Sequence, residues 1–274
     1  MGRLPNFVII GAMRSGTSSL AGYLASHPDL FMAPRKELHF FNRHYDEGLE
    51  WYRQRFADST SQSAVGEATP TYIYDKQSID RMAADIGEAK LIAILREPVS
   101  RAYSHYWFNR SRGYEPMTFE EALAAEGQRL DGADPLTRAR YSYVDRGRYV
   151  DQLEHVATRF PDDQVHVLLV EDLKRSPAAT YGAVCAFLGI DSEFRPENLG
   201  APVNAFYRAR WPKLNQAVKG FPKPVRTAVK VINRADAEPY PPIESETRDR
   251  LRSEFSDSVA RLERLLDRDL DAWR

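Results

Sequence analysis

The 274-residue chain contains one cysteine, Cys185, so no intrachain disulfide can form. Cys185 lies in the apolar helical pattern AVCAFLG and is expected in the core. No stretch approaches the ~18 apolar residues of a membrane span, and the opening MGRLPN runs into a strand pattern without a secretory signal. Both absences point to a cytoplasmic protein. An excess of one charge is also missing: 38 basic and 39 acidic residues leave a formal net charge of −1. That balance argues against a general nucleic-acid or membrane-surface binder, but leaves room for a local basic pocket. Lysine is scarce, at eight against 30 arginines. No internal repeat or low-complexity segment is visible. The length suits one large domain or two small ones and can bury a full core; the chain is expected to form a single domain, 1–274.

A further absence is local. Residues 9–20 read IIGAMRSGTSSL, a strand followed by G-x-x-x-x-G and a helix start. A nucleoside-triphosphate loop carries lysine directly after the second glycine. Here Thr17 takes that place, and the nearest cation is Arg14. The turn still offers backbone N–H groups and the positive end of a helix dipole, which suit any phosphate. Arg14 adds a cation; Ser15, Thr17, Ser18 and Ser19 add hydroxyls around Gly16. What is missing is the lysine that reaches a γ-phosphate, so the ligand is expected to carry another group there.

Short apolar runs at 7–12, 91–97 and 165–173 read as strands buried on both faces, with a weaker strand at 63–69. Helical patterns at 18–26, 79–86, 101–109, 149–160 and 177–188 lie between and beyond them. The alternation predicts an α/β fold: a P-loop-like central parallel β-sheet flanked by helices on both faces. Ligands of such sheets sit at the carboxyl ends of the strands. Residues 111–147 read as loop, a candidate lid, except for a helix at 118–126 with a Thr118/Glu121 capping box. Residues 220–243 carry five prolines and read as irregular. A last helix over 246–266 would bury Leu251, Phe255, Val259, Leu262 and Leu266.

The second strong strand ends in LIAILREPVSRAYSHYWF. Arg96 emerges at its carboxyl end, Pro98 suits a first helical turn, and Ser104 follows on that helix. A second cation and hydroxyl could hold a second phosphate. Together, GAMRSGTSSL and LREPVSRAYSHY resemble the sulfotransferases that use 3′-phosphoadenosine 5′-phosphosulfate (PAPS). The likeness is nearest to the heparan-sulfate and carbohydrate branch, as a soluble bacterial-type member, and covers residues 5–110 best. The resemblance implies that the first loop binds the 5′-phosphosulfate and the second segment the 3′-phosphate. PAPS has no γ-phosphate, which accounts for the missing lysine, and the reaction would leave 3′,5′-ADP and require no metal. The family loop usually carries lysine at the Arg14 position, although a branch that sulfates protein tyrosines has arginine.

The resemblance continues through HPDLFMAPRKELHFF, residues 27–41, where K-E-x-H-F-F marks Glu37 as the general base. Arg14 would be the leaving-group cation, with Lys36 and His39 as catalytic partners and His39 also near the acceptor. In GEATPTYIY, Ala68 stands where relatives carry an acceptor-site lysine, while Glu67 remains to orient the acceptor. Tyr149 matches a family tyrosine and reads as structural. Arg208 and Arg210 in NAFYRAR would close over the nucleotide. The partner implied is a carbohydrate, lipid or small-molecule hydroxyl, with no nucleic acid and no membrane span; oligomeric state is not legible. A P-loop kinase or NTPase is the alternative, but the nearest Mg²⁺ ligand is Asp172 in LLVEDL. A catalytically dead nucleotide-binding module is a third reading, against which the retained Glu37 speaks.

Overall fold

A computed structural model describes residues 2–201, 214, 217–218, 220–232 and 240–274. They fall into two compact units, Met1–Arg96 with Tyr149–Asn204 and Glu97–Arg148 with Ala205–Arg274.

The first unit holds the sheet. Its strands are β1 (Phe7–Gly11), β2 (Leu30–Met32), β3 (Ala64–Ala68), β4 (Lys90–Leu95) and β5 (Val165–Leu169). They lie in the order β2-β3-β1-β4-β5, every pair parallel. The connections reverse direction at β1, so the loop following β1 leaves the sheet at its topological switch point. Helices of this unit are α1 (Thr17–Leu24), α2 (Phe40–Arg43), α3 (Gly48–Arg53) and α4 (Lys76–Ile86).

The second unit opens with α5 (Pro98–Ser111), α6 (Phe119–Ala124), α7 (Glu126–Leu130) and α8 (Pro135–Tyr141). The chain returns to the first unit through α9 (Tyr149–Ala157), α10 (Val170–Arg175) and α11 (Pro177–Leu188). It ends in the second with α12 (Lys223–Ile232) and α13 (Ser245–Leu266).

Period-two alternation fills both faces of the sheet. Phe7 and Ile9, Ala64 and Ala68, and Ile92 and Ile94 join Leu20 and Leu24 of α1 and Tyr181, Val184 and Cys185 of α11 in one buried cluster. Val8, Ile10, Val65, Leu91, Ala93 and Leu95 point the other way and are also fully buried. Gly66 is glycine for contact reasons: a Cβ there would lie 2.5 Å from the Phe7 ring.

The parallel α/β architecture matches the sequence reading, but several elements differ. The run 165–173 is strand only to Leu169. The β4–β5 register ends at Leu95↔Leu169, so later residues have no ladder partner, and Val170–Arg175 coils into α10. The 111–147 segment is mostly helical: the Thr118/Glu121 capping box starts α6, and Asp134 caps α8 with Pro135 at its first turn. Buried Glu115 explains that order, accepting from Arg129 at 2.6 Å and from the Tyr143 hydroxyl at 2.9 Å. The proline-rich 220–243 segment contains α12, with Pro224 in the first turn where no N–H is required. In α13 the apolar face is buried at Leu251, Phe255, Val259 and Leu262, while Leu266 is half-buried. No helix among the described residues is long and apolar enough to cross a membrane.

Candidate active site

Two segments of the first unit meet at the carboxyl end of the sheet. The first is the turn from β1 into α1. Gly16 caps α1 in the left-handed region at φ 94°, and a Cβ there would sit 3.0 Å from Val170. Arg14 is also left-handed, at φ 73°. Gly16 has no side chain with which to cap α1, and the first N–H groups of a helix lack the usual i−4 partners; that of Ser19 donates to the Gly16 carbonyl at 3.0 Å. The Ser15 hydroxyl is fully buried and, among the described residues, has no hydrogen-bond partner. Thr17 is buried, whereas Ser18 and Ser19 are half-buried. Arg96, at the end of β4, donates to the Arg14 carbonyl at 3.4 Å, and the Tyr149 hydroxyl donates to the Arg96 carbonyl at 2.9 Å. Tyr149 thereby fixes the backbone that carries the second candidate phosphate-binding cation.

The second segment is Lys36–His39. Glu37 and His39 are non-glycine residues at φ 57° and 55°. Among the described residues only Arg14 and Asp267 share this conformation outside glycine. Residues held there cost energy that their surroundings must offset, and such positions cluster at ligand sites. The Glu37 carboxylate is 41% exposed, 3.8 Å from Lys36 Nζ and 3.6 Å from His39 Nε2. The Glu37 N–H donates to the Ala68 carbonyl at 3.2 Å, which ties the segment to the end of β3. Lys36 Nζ donates to Ser18 Oγ, so the two segments touch. Burial lowers the Lys36 pKa; the nearby Arg14 charge adds to this and Glu37 opposes it. A lysine shifted in that direction gives up its proton more readily, whereas arginine does not titrate at neutral pH.

Beneath them is a buried network. Glu67, on the sheet face opposite Phe7, is 1% exposed. Its carboxylate accepts from the hydroxyls of Thr69 at 2.6 Å, Tyr52 at 2.9 Å and Tyr72 at 3.1 Å. Because those hydroxyls donate to Glu67, their lone pairs face outward. Thr69 Oγ1 accepts from the His39 N–H and the Tyr72 oxygen from the Phe41 N–H, both at 3.4 Å. The Glu67 carboxylate thus faces the protein's own hydroxyls, and Thr69 and Tyr72 link it to the backbone of 39–41. His39 Nδ1 lies 3.2 Å from Asn42 Oδ1, and the Asn42 amide donates to Thr71 at 3.1 Å. Tyr52, Asn42 and Thr71 carry no sequence signal for this role, because each is recruited by tertiary contact alone.

Burial raises the Glu67 pKa above the ordinary glutamate value, and the three hydroxyls and His39 offset only part of the rise. The native state then holds this proton more tightly than the unfolded chain, so the contribution to stability falls as pH rises through the native value. Thermal melts of wild type and Glu67→Gln between pH 4.5 and 7 should show wild type losing ground to the variant as pH rises. A constant or opposite difference would contradict the raised pKa.

Ser104 is buried on α5, in the second unit. Arg208 and Arg210 fall outside the described residues. Asp172 is not at a strand end but on α10, where it accepts from Arg175 at 2.6 Å.

The chain matches the family model described as a sulfotransferase domain over residues 4–207. It is 35% identical over 188 residues to human heparan sulfate glucosamine 3-O-sulfotransferase 3B1, covering 69% of this chain and 47% of that protein. A solved sulfotransferase from Alicyclobacillus acidocaldarius superposes with a TM-score of 0.76 at 32% identity, covering 100% of both chains. A retinol dehydratase solved with androsterone and the inactive cofactor PAP shares the fold at a TM-score of 0.51 and 13% identity, over 94% of this chain and 82% of that one. The chain spans about half the length of the curated relatives it matches. A glycine turn without the triphosphatase lysine, a carboxylate beside it and a family match over most of the chain agree: the chain belongs to the sulfotransferase family.

Proposed function

We propose that this protein transfers the sulfuryl group of PAPS to a hydroxyl acceptor, a carbohydrate, lipid or small molecule, and releases 3′,5′-ADP. The observation that carries the reading is the Lys36–Ser18 hydrogen bond. It sets Glu37, with its exposed carboxylate, one residue from the cation that touches the phosphate turn.

In the reaction, the acceptor oxygen bonds to sulfur as the bond between sulfur and the 5′-phosphate oxygen breaks. The hydroxyl proton goes to Glu37, and the electron pair goes to the departing phosphate. Lys36 and Arg14 meet that charge, with Lys36 able to supply a proton. The turn of residues 14–19, with the buried Ser15 hydroxyl, takes the 5′-phosphosulfate, and Arg96 the 3′-phosphate. His39 stands beside Glu37 on the acceptor side. Glu67 holds the 39–41 backbone in place. The PAP bound by the retinol dehydratase of the same fold supports the choice of donor, and the 3-O-sulfotransferase supports a hydroxyl acceptor.

The kinase alternative lacks the loop lysine, and Asp172 is engaged with Arg175. Thermal shifts with 3′,5′-ADP in EDTA and with ATP plus Mg²⁺ separate the two readings. A ligand at ~100 times its Kd stabilises by about 2.7 kcal/mol, a rise of roughly 5–10 °C for a chain of this size. The rise is expected with 3′,5′-ADP in EDTA; a rise with Mg·ATP alone would favour the kinase.

A further inference from the structure

The overall charge balance conceals a segregation. Residues 198–235 contain eight Lys and Arg and no Asp or Glu, so the other 236 residues carry 30 basic and 39 acidic groups, a formal charge of −9. Within this basic segment, Phe221 and α12 are described. At 100° per residue, Val225, Val229 and Ile232 fall on one side of α12, with Phe221 just before its start and Arg226 at the flank of that stripe. In a globular protein such an apolar stripe faces the core. Here most of it faces solvent: Phe221 is 55% exposed, Val225 41% and Ile232 71%, while Val229 is half-buried. Among the described residues seven large apolar side chains are exposed, and four of them lie between Leu214 and Ile232. That concentration distinguishes the segment from scattered surface apolar residues.

We propose that α12 is an interfacial helix that docks this protein on an anionic lipid surface. Ten helical residues span about 15 Å, enough to lie flat at the headgroup boundary but far too few to cross. The apolar stripe enters the acyl boundary, and the basic flanks meet lipid phosphates. The absence of any carboxylate along the segment favours a lipid surface over a protein groove, where charges of both signs are usual. Each Lys or Arg held near such a surface strengthens binding roughly fivefold. The acidic remainder of the chain is repelled, which leaves α12 to make the contact. The sulfotransferase reading is not needed for this step.

Co-sedimentation with phosphatidylcholine vesicles, with and without phosphatidylglycerol, tests the proposal on the full chain. Binding is expected only with phosphatidylglycerol, and it should weaken as salt is raised. Val225→Glu/Ile232→Glu should weaken partition by at least about tenfold while leaving the melting temperature unchanged, because both side chains are exposed. Lys223→Gln/Lys230→Gln should weaken binding at low salt and flatten the salt dependence. No binding to either vesicle, equal binding to both, or full binding by the Val225→Glu/Ile232→Glu variant would overturn it. Capture of an acidic polypeptide in place of the vesicles would overturn it as well.

Discussion

Glu37→Gln is expected to lower turnover by roughly 10²–10⁴-fold while leaving 3′,5′-ADP affinity within about twofold. Glutamine keeps the shape of the side chain but cannot take the acceptor proton. The loss should therefore fall on kcat, because the proton moves only as the new oxygen–sulfur bond forms. Binding should survive because the Glu37 side chain is 41% exposed and its ion pairs with Lys36 and His39 are long, at 3.8 Å and 3.6 Å, and because glutamine keeps its shape. Ion pairs of that kind contribute little. The comparison with His39→Asn is informative: if His39 were the base, that variant would take the large loss and Glu37→Gln a small one. Initial rates of 3′,5′-ADP formation, beside calorimetric titrations with 3′,5′-ADP, give both quantities.

Arg96→Ala should weaken 3′,5′-ADP binding by roughly 10- to 150-fold, the range of one charge-assisted hydrogen bond, and 5′-AMP binding by no more than about threefold. Arg96 is half-buried, and among the described residues its guanidinium makes one long bond, 3.4 Å to the Arg14 carbonyl. It is thus positioned by the sheet yet weakly engaged, as a ligand-binding cation should be. Its backbone is fixed by the Tyr149 hydroxyl, so truncating the side chain leaves the strand end in place. Calorimetric titration with the two nucleotides decides the matter. Equal losses for both would remove the 3′-phosphate site from Arg96 and place the effect in the loop.

The sheet was legible because strands buried on both faces leave continuous apolar runs, as FVII and LIAIL do. Periodicity could not show where β5 stops, since Val170 is as apolar as Leu169; the length of β4 decides that. The short β2, only Leu30–Met32, was not legible, because it is held by pairing with β3. The helices between 111 and 147 depend on buried Glu115, a carboxylate whose sequence neighbours give no hint of burial.

At the site, the glycine spacing and the K-E-x-H-F-F pattern drew attention to residues whose backbone proves unusual: Arg14, Gly16, Glu37 and His39 all have positive φ. The surroundings of Glu67 were not legible for a physical reason: two of the three hydroxyls enclosing it come from tyrosines 15 and five residues away.

The central claim is that Glu37 takes the proton from a hydroxyl acceptor as the sulfuryl group leaves PAPS. The most direct test is the rate of 3′,5′-ADP release from PAPS, in EDTA and across a panel of carbohydrate, lipid and small-molecule hydroxyls, for wild type beside Glu37→Gln. The expected result is acceptor-dependent release by wild type, matched by sulfated product, and a fall of at least about 10²-fold in the variant. Release by Glu37→Gln at nearly the wild-type rate would contradict the claim.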